Sequence, residues 1–296
     1  MMGAAILGDW GTTRLRLFRR VGGETVGRID GPGIGALDAA AADILADRLA
    51  PWRAEGELGP VILCGMAGAR GGLVETTYVD CPTDAAGWRD RAVKVAVGGS
   101  EVSVLPGLRT RNAVGVPDVM RGEETQIFGA IALDPALGHG RWTFVLPGTH
   151  SKWVTVDHGV IRGFRTYPTG ELFALLADRS TLAGGDDAGD GIMEQGFARG
   201  LERSGEATLG ALFEARAARM VDGRSGEWAR GYLSGLLIGG EVVAEVGADN
   251  DVVLIGDPAL AGHYTQALAR AGCGVHVMDG DACVLAGLEL AQGETA

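Results

Sequence analysis

Two short clusters in this chain have residue types and spacing suited to phosphate chemistry. The first is Asp9-Trp10-Gly11-Thr12-Thr13. A carboxylate at a strand end can hold hydrated Mg²⁺. Gly11 lets the backbone come close to a ligand. The hydroxyls of Thr12 and Thr13 beside the turn N–H groups make a nest that suits phosphate. An ordinary hairpin turn fits the same five residues. The second cluster is Gly148-Thr149-His150-Ser151-Lys152, where Lys152 adds a point charge suited to phosphate. A third group, Asp118, Arg121, Glu123 and Glu124, falls within seven residues. Such a group is commonly a polar helix face, with acids favoured at the helix start by the dipole.

The elements that must carry these residues follow from the apolar pattern. Ile6-Leu7 and Leu15-Leu17-Phe18 read as strands on either side of the first turn. Residues 141–146 and 153–156 repeat that arrangement about the second turn. The two lie about half the chain apart, which implies two related halves. Val61-Ile62-Leu63-Cys64-Gly65 reads as a buried strand, and Arg70 follows in the loop at its C-terminal end. Ligands bind at such ends in open α/β sheets, so Arg70 is a candidate anion contact or a solvated loop arginine. The spacing predicts helices over 38–53, 119–133, 192–203, 207–222, 226–247, 259–271 and 281–291. Thr169 is positioned to cap a helix beginning at Glu171. Val252 to Ile255 reads as a buried strand ending in the turn Gly256-Asp257-Pro258. The glycines at 231, 235, 239 and 240 indicate close helix packing. The Gly- and Asp-rich stretch 183–191 reads as a loop whose spacing does not match a calcium site.

Composition limits the function classes. Of 296 residues, 46% are hydrophobic and 22% charged, so a sizeable core is available. The net charge of −12 disfavours a nucleic-acid binder, which needs a basic face. The four cysteines form no C-x-x-C pair, which argues against a zinc ribbon or redox motif and fits buried, reduced thiols in a cytoplasmic setting. No apolar run reaches about 18 residues, so no membrane span is expected.

Two Gly-Thr strand turns, an acid-bearing helix between them and a late glycine turn resemble the actin, sugar kinase and heat-shock ATPase superfamily. Closer likeness lies in Val119-Met120-Arg121-Gly122-Glu123-Glu124-Thr125-Gln126, in Leu146-Pro147-Gly148-Thr149-His150-Ser151-Lys152-Trp153 and in Tyr232-Leu233-Ser234-Gly235-Leu236-Leu237-Ile238-Gly239. These are similar to the 2-dehydro-3-deoxygalactonokinase family, and the likeness runs nearly end to end. The resemblance implies an α/β fold of two ribonuclease-H-like (actin-like ATPase) domains with an interdomain cleft. The expected domains are 1–120 and 121–296, with the helix 281–291 packing back towards the cleft. It implies ATP-dependent phosphorylation of 2-dehydro-3-deoxy-D-galactonate at the 6-hydroxyl, giving ADP, in D-galactonate breakdown.

Roles follow from the same resemblance. Asp9 is expected to organise Mg²⁺. Gly11, Thr12, Thr13, Gly148, Thr149, His150, Ser151 and Lys152 are expected at the phosphates, and Gly256 and Asp257 near the adenosine. Glu123 falls nearest the family's catalytic acid, with Glu124 and Asp118 as competitors. Arg70, Arg121 and Arg165 are candidates for the substrate carboxylate, since arginine forks suit a 2-oxo acid. Two departures stand out: Leu146-Pro147 replaces an acid before the second turn, and Gly256-Asp257-Pro258 replaces a run of glycines. The alternatives are a sugar-acid kinase of other stereochemistry, a polyphosphate or nucleotide phosphohydrolase, and a non-catalytic nucleotide-binding protein. The expected partners are the sugar acid and ATP, with no nucleic acid and no membrane; homo-oligomerisation stays open.

Overall fold

The structure, a computed structural model, describes residues 4–184, 189–247 and 251–293. Residues 185–188, within the expected loop 183–191, lie outside the described residues. The chain divides into two compact units. One comprises Met1–Arg141, Val154–Phe164 and Gly280–Ala296, the other Trp142–Trp153 and Arg165–Asp279.

In the first unit, β1 (Ala4–Trp10) runs antiparallel to β2 (Arg14–Val21), which pairs with β3 (Glu24–Pro32). Helix α1 (Ala41–Ala54) then leads to β4 (Leu58–Gly65), parallel to β1. After β5 (Val79–Asp80) and the short α2 (Ala85–Arg89) come β6 (Val93–Val97) and β7 (Ser100–Val104). The six-stranded sheet has the order β3-β2-β1-β4-β7-β6. Its alternating residues Ile6, Leu15, Leu17, Leu63, Val102 and Val104 pack against Leu45, Leu49 and Trp52 of α1. This burial of one sheet face under one helix is the main source of the unit's stability. Strands β8 (Leu108–Arg111) and β9 (Pro117–Met120) complete a small sheet, β5-β8-β9, and α3 spans Glu123–Leu133.

The second sheet uses β10 (Arg141–Leu146), β11 (Ser151–Asp157) and β12 (Val160–Tyr167). Helices α4 (Thr169–Arg179), α5 (Met193–Arg203), α6 (Thr208–Ala211), α7 (Glu214–Val221) and α8 (Gly226–Glu245) follow. Then come β13 (Val252–Gly256), α9 (Pro258–Arg270), β14 (Val275–Asp279) and α10 (Gly280–Gln292). The sheet order is β12-β11-β10-β13-β14, with β13 parallel to both neighbours. Both sheets share one central strand order: three consecutive strands with the earliest innermost, then two more beside it that run parallel to it; the first sheet adds β6 at its edge. The α/β class and the internal repeat expected from the sequence are both present. Helices α5 and α8 pack backbone to backbone, since a methyl group at Gly231 or Gly235 would lie 2.0 or 2.1 Å from the Met193 or Phe197 carbonyl oxygen.

Three details differ from the sequence reading. Residues 119 and 120 belong to β9, because they pair with β8, and Gly122 at φ 108° separates that strand from α3. The stretch 207–222 is two helices, α6 and α7, not one. The units also do not divide at 120/121. Helix α3 stays with the first unit because it meets α10 at close range: a methyl group on Gly129 would lie 1.8 Å from the Cys283 oxygen.

Candidate active site

The first Gly-Thr turn is braced from outside the hairpin. The Gly11 and Thr12 carbonyls accept hydrogen bonds from Ile34 and Gly35 N–H at 3.0 and 2.9 Å. A methyl group at Gly33 would lie 2.3 Å from the Thr12 oxygen, so only glycine permits this approach. The Gly11 N–H closes the turn on the Arg14 carbonyl at 2.9 Å. With the carbonyls used in this way, Thr12 and Thr13 are left exposed at the turn. Such an arrangement binds anions.

Asp9, one residue before the end of β1, lies directly opposite Arg16 in the ladder. Its Oδ2 accepts from Arg16 Nη2 at 2.6 Å, and its side chain is 21% exposed. Arg16 also pairs with Asp281 at the start of α10. Behind Asp9 lies buried Cys64, whose thiol is 3.8 Å from Asp9 Oδ1. Burial pushes that thiol well up, and the Asp9 and Glu124 carboxylates push it further, so it stays protonated.

The two glutamates at the start of α3 have different environments. Glu124 is fully buried, and both its oxygens accept from the Gly122 N–H, at 2.8 and 2.9 Å. Burial, then the neighbouring Glu123 charge, raises its pKa to about 8. Glu123 is half-buried, and its Oε2 accepts from the Arg121 N–H at 3.0 Å. Glu123 can therefore reach a ligand, whereas Glu124 faces the protein. Asp118 does not share this helix start. It sits on β9 opposite Thr110, and its carboxylate accepts from Val119 N–H at 2.7 Å.

The three candidate arginines are placed differently. Arg121 lies over the Tyr78 ring at 4.4 Å, and its Nη atoms donate to the Thr76 hydroxyl and carbonyl. Its buried Nε has no hydrogen-bond partner among the described residues. Arg70 is exposed in the loop after β4. Arg165 belongs to the second unit, where it is half exposed and pairs with Glu245 at 2.8 Å.

The second Gly-Thr turn is braced by a helix. The Glu171 N–H donates to the Thr149 carbonyl at 3.0 Å, and a methyl group at Gly170 would lie 2.4 Å from the Gly148 oxygen. His150 Nε2 lies 2.8 Å from the Glu171 carboxylate. Nothing lies within 4 Å of the open side of Gly148. It borders a cavity of about 350 Å³ with largely apolar walls, including Phe173, Leu237, Ile238 and Leu260. Asp257 also borders it and caps α9, accepting from Ala259 N–H at 3.0 Å. A flat aromatic ligand with a charged tail fits these surroundings.

Two residues expected at the phosphates turn inward instead. Ser151 is fully buried, and its hydroxyl lies 2.7 Å from the Tyr264 hydroxyl. Lys152 is 4% exposed, and its ammonium donates to the His150 carbonyl at 3.1 Å. Strand alternation does not explain this by itself, because the first residues of β11 are buried on both faces. Thr169 does not cap α4 either; its hydroxyl donates to Glu241 on α8. Nothing in the sequence singles out Glu241. Its neighbours Gly239, Gly240, Val242 and Val243 look like simple packing positions, and a single acid among them gives no local signal.

A model of the 2-keto-3-deoxy-galactonokinase family matches residues 9–291, which takes in both Gly-Thr turns and the helices between them. The chain belongs to that family. DgoK1 of Rhizobium meliloti (strain 1021), assigned as a 2-dehydro-3-deoxygalactonokinase, is 38% identical over 295 residues, covering 96% of this chain and 94% of the relative. The 2-dehydro-3-deoxygalactonokinase of Escherichia coli (strain K12) is 34% identical over 287 residues, covering 95% and 94%. A crystal structure described as a 2-dehydro-3-deoxygalactonokinase protein from Sinorhizobium meliloti aligns at TM-score 0.84 and 35% identity, over 97% of both chains. The family resemblance read from the motifs is thus borne out, and the protein is a member of a kinase family. Among the described residues, no helix is long and apolar enough to cross a membrane.

Proposed function

We propose that the protein transfers the terminal phosphoryl group of ATP to the 6-hydroxyl of 2-dehydro-3-deoxy-D-galactonate, releasing ADP. Family membership supports the kinase activity and the sugar-acid substrate. The observation that carries the nucleotide assignment is the Gly148-Thr149 turn opening onto an apolar cavity that Asp257 also borders. In this reading the base and ribose occupy that cavity. The phosphate tail runs towards the N–H groups of Gly148 and Thr149.

Phosphoryl transfer is mostly positioning and charge stabilisation. The sugar 6-oxygen attacks the terminal phosphorus, the bond to the bridging oxygen breaks, and ADP leaves with that electron pair. The hydroxyl proton passes to the Glu123 carboxylate, acting as general base. Glu123 takes this role rather than Glu124, because Glu124 is buried against its own helix start and protonated at neutral pH. Asp118 is set aside for its place on a separate strand. Asp9 fits one contact to a hydrated Mg²⁺, since its carboxylate is partly exposed at a strand end beside the turn. Bound there, the ion would neutralise charge on the phosphates. Arg121 is the foremost candidate for the substrate carboxylate, because Thr76 and Tyr78 hold its guanidinium in one orientation beside the start of α3. Arg70 and Arg165 rank after it.

A coupled assay of ADP release tests this reading, using 2-oxo-3-deoxy acids epimeric at carbon 4 and a control without sugar. Turnover is expected with the galacto acid and little without sugar. Equal turnover of the epimers would remove the stereochemical assignment. Phosphate release without sugar would indicate a hydrolase, and no turnover at all would indicate a binding protein.

A further inference from the structure

One buried carboxylate in the second unit takes no part in the steps above. Glu241, on α8, is 2% exposed. Its Oε1 accepts from Trp153 Nε1 at 2.7 Å. Its Oε2 accepts from the Thr169 hydroxyl at 2.5 Å and the Tyr264 hydroxyl at 2.9 Å. The Tyr264 hydroxyl in turn shares a 2.7 Å hydrogen bond with Ser151. A buried acid is costly unless it is well paired, and this one has three donors converging on it. Networks of this kind hold their members in one arrangement.

The positions of those donors give the network its meaning. Ser151 and Trp153 begin β11, directly after the second Gly-Thr turn. Thr169 opens α4, and the next two residues touch the backbone of that turn. Tyr264 belongs to α9, whose first residues follow Asp257. Thr169 and Tyr264 also line the cavity. A single side chain on α8 thus ties together the strand behind the turn, the helix braced on it and the helix forming another wall. None of the four partners needs an acid for packing alone.

We infer that Glu241 is a positioning residue for the nucleotide, holding the second Gly-Thr turn and the cavity walls in the register that receives it. This rests on the reading that the cavity takes ATP. Glu241 touches no substrate; it acts through Ser151, Thr169 and Tyr264. Its loss should therefore weaken the nucleotide side of the reaction and leave the sugar side alone.

The test uses the full-length enzyme and the variants Glu241→Gln, Thr169→Val and Tyr264→Phe. Glu241→Gln should raise KM for ATP about ten-fold, the effect of losing one good hydrogen bond to a charged acceptor, with KM for the sugar acid unchanged. Thr169→Val and Tyr264→Phe should each produce a smaller rise in the same parameter. Calorimetric Kd for MgADP should weaken in parallel. Should Glu241→Gln not fold, Tyr264→Phe carries the test, because it removes one hydroxyl and keeps the ring packed. Folded variants with wild-type KM for ATP and wild-type MgADP affinity would overturn the role, as would equal rises in both KM values. Wild-type turnover separates this from the broader reading. If the wild type binds MgADP but phosphorylates no sugar acid, the kinase assignment fails while the Glu241 role is still read from Kd.

Discussion

The two Gly-Thr turns occupy the same place in sheets of the same central strand order, yet they are built differently. The first is braced by a loop: Ile34 and Gly35 take the turn's carbonyls, and Gly33 makes the approach possible. It carries an acid, Asp9, held by Arg16. The second is braced by α4 through Gly170 and Glu171, and Pro147 precedes it where an acid could stand. Its charged residue, Lys152, is turned into the protein, and a buried network centred on Glu241 stands behind it. The proposed function gives the two copies different jobs. One turn follows a partly exposed carboxylate and stands in the same unit as Glu123. The other borders an apolar cavity.

That contrast can be broken experimentally. The largest effect is expected from Glu123→Gln. It should lower kcat by about 10²- to 10⁴-fold, the usual contribution of a general base, with MgADP affinity retained. Near-normal turnover would move the base elsewhere in the first unit. Asp9→Asn should lower kcat/KM for MgATP by about 10- to 100-fold and shift the Mg²⁺ requirement upward. A Mg²⁺ titration indistinguishable from wild type would erase the difference between the turns.

Next come the two bracing glycines. Gly33→Ala and Gly170→Ala each force a backbone shift and should each cost about 1–3 kcal/mol of stability. Their kinetic effects should diverge. Gly170→Ala should act mainly on KM for ATP, and Gly33→Ala mainly on kcat. Steady-state kinetics beside thermal melts would show this, and identical kinetic profiles would mean that the turns share one job.

A separate effect is on stability against pH. Glu124 has a folded pKa of about 8 against an unfolded value of 4.5. Its neutral form is the one the fold favours, so its contribution is fully present below pH 4.5 and is lost as pH rises through about 8. Melting temperature should fall across that window in the wild type and fall less steeply in Glu124→Gln. Equal slopes would show that Glu124 titrates normally.

Much of this architecture is local enough to read from the chain. Each Gly-Thr turn lies between two apolar runs, so strand, turn and strand follow from neighbouring residues. The start of α10 and the helix of α5 likewise follow from periodicity. The break at Gly122 was less visible, because Val119 and Met120 continue the apolar spacing of α3 and only pairing with β8 draws them into a strand. Asp118 and Glu123 therefore looked like neighbours on one helix but belong to different elements.

Residue types and spacing by themselves determined the α/β class, the repeat, the two turns and the acids at the start of α3. All of these depend on a few consecutive residues. The direction each polar side chain faces was decided only by tertiary structure. Thr169 reads as a helix cap but donates to Glu241, and Ser151 and Lys152 read as phosphate ligands but are buried. The partner of each comes from a distant part of the chain or from the packing around β11. A buried polar group must find its partner wherever the fold supplies one. No local pattern records that choice.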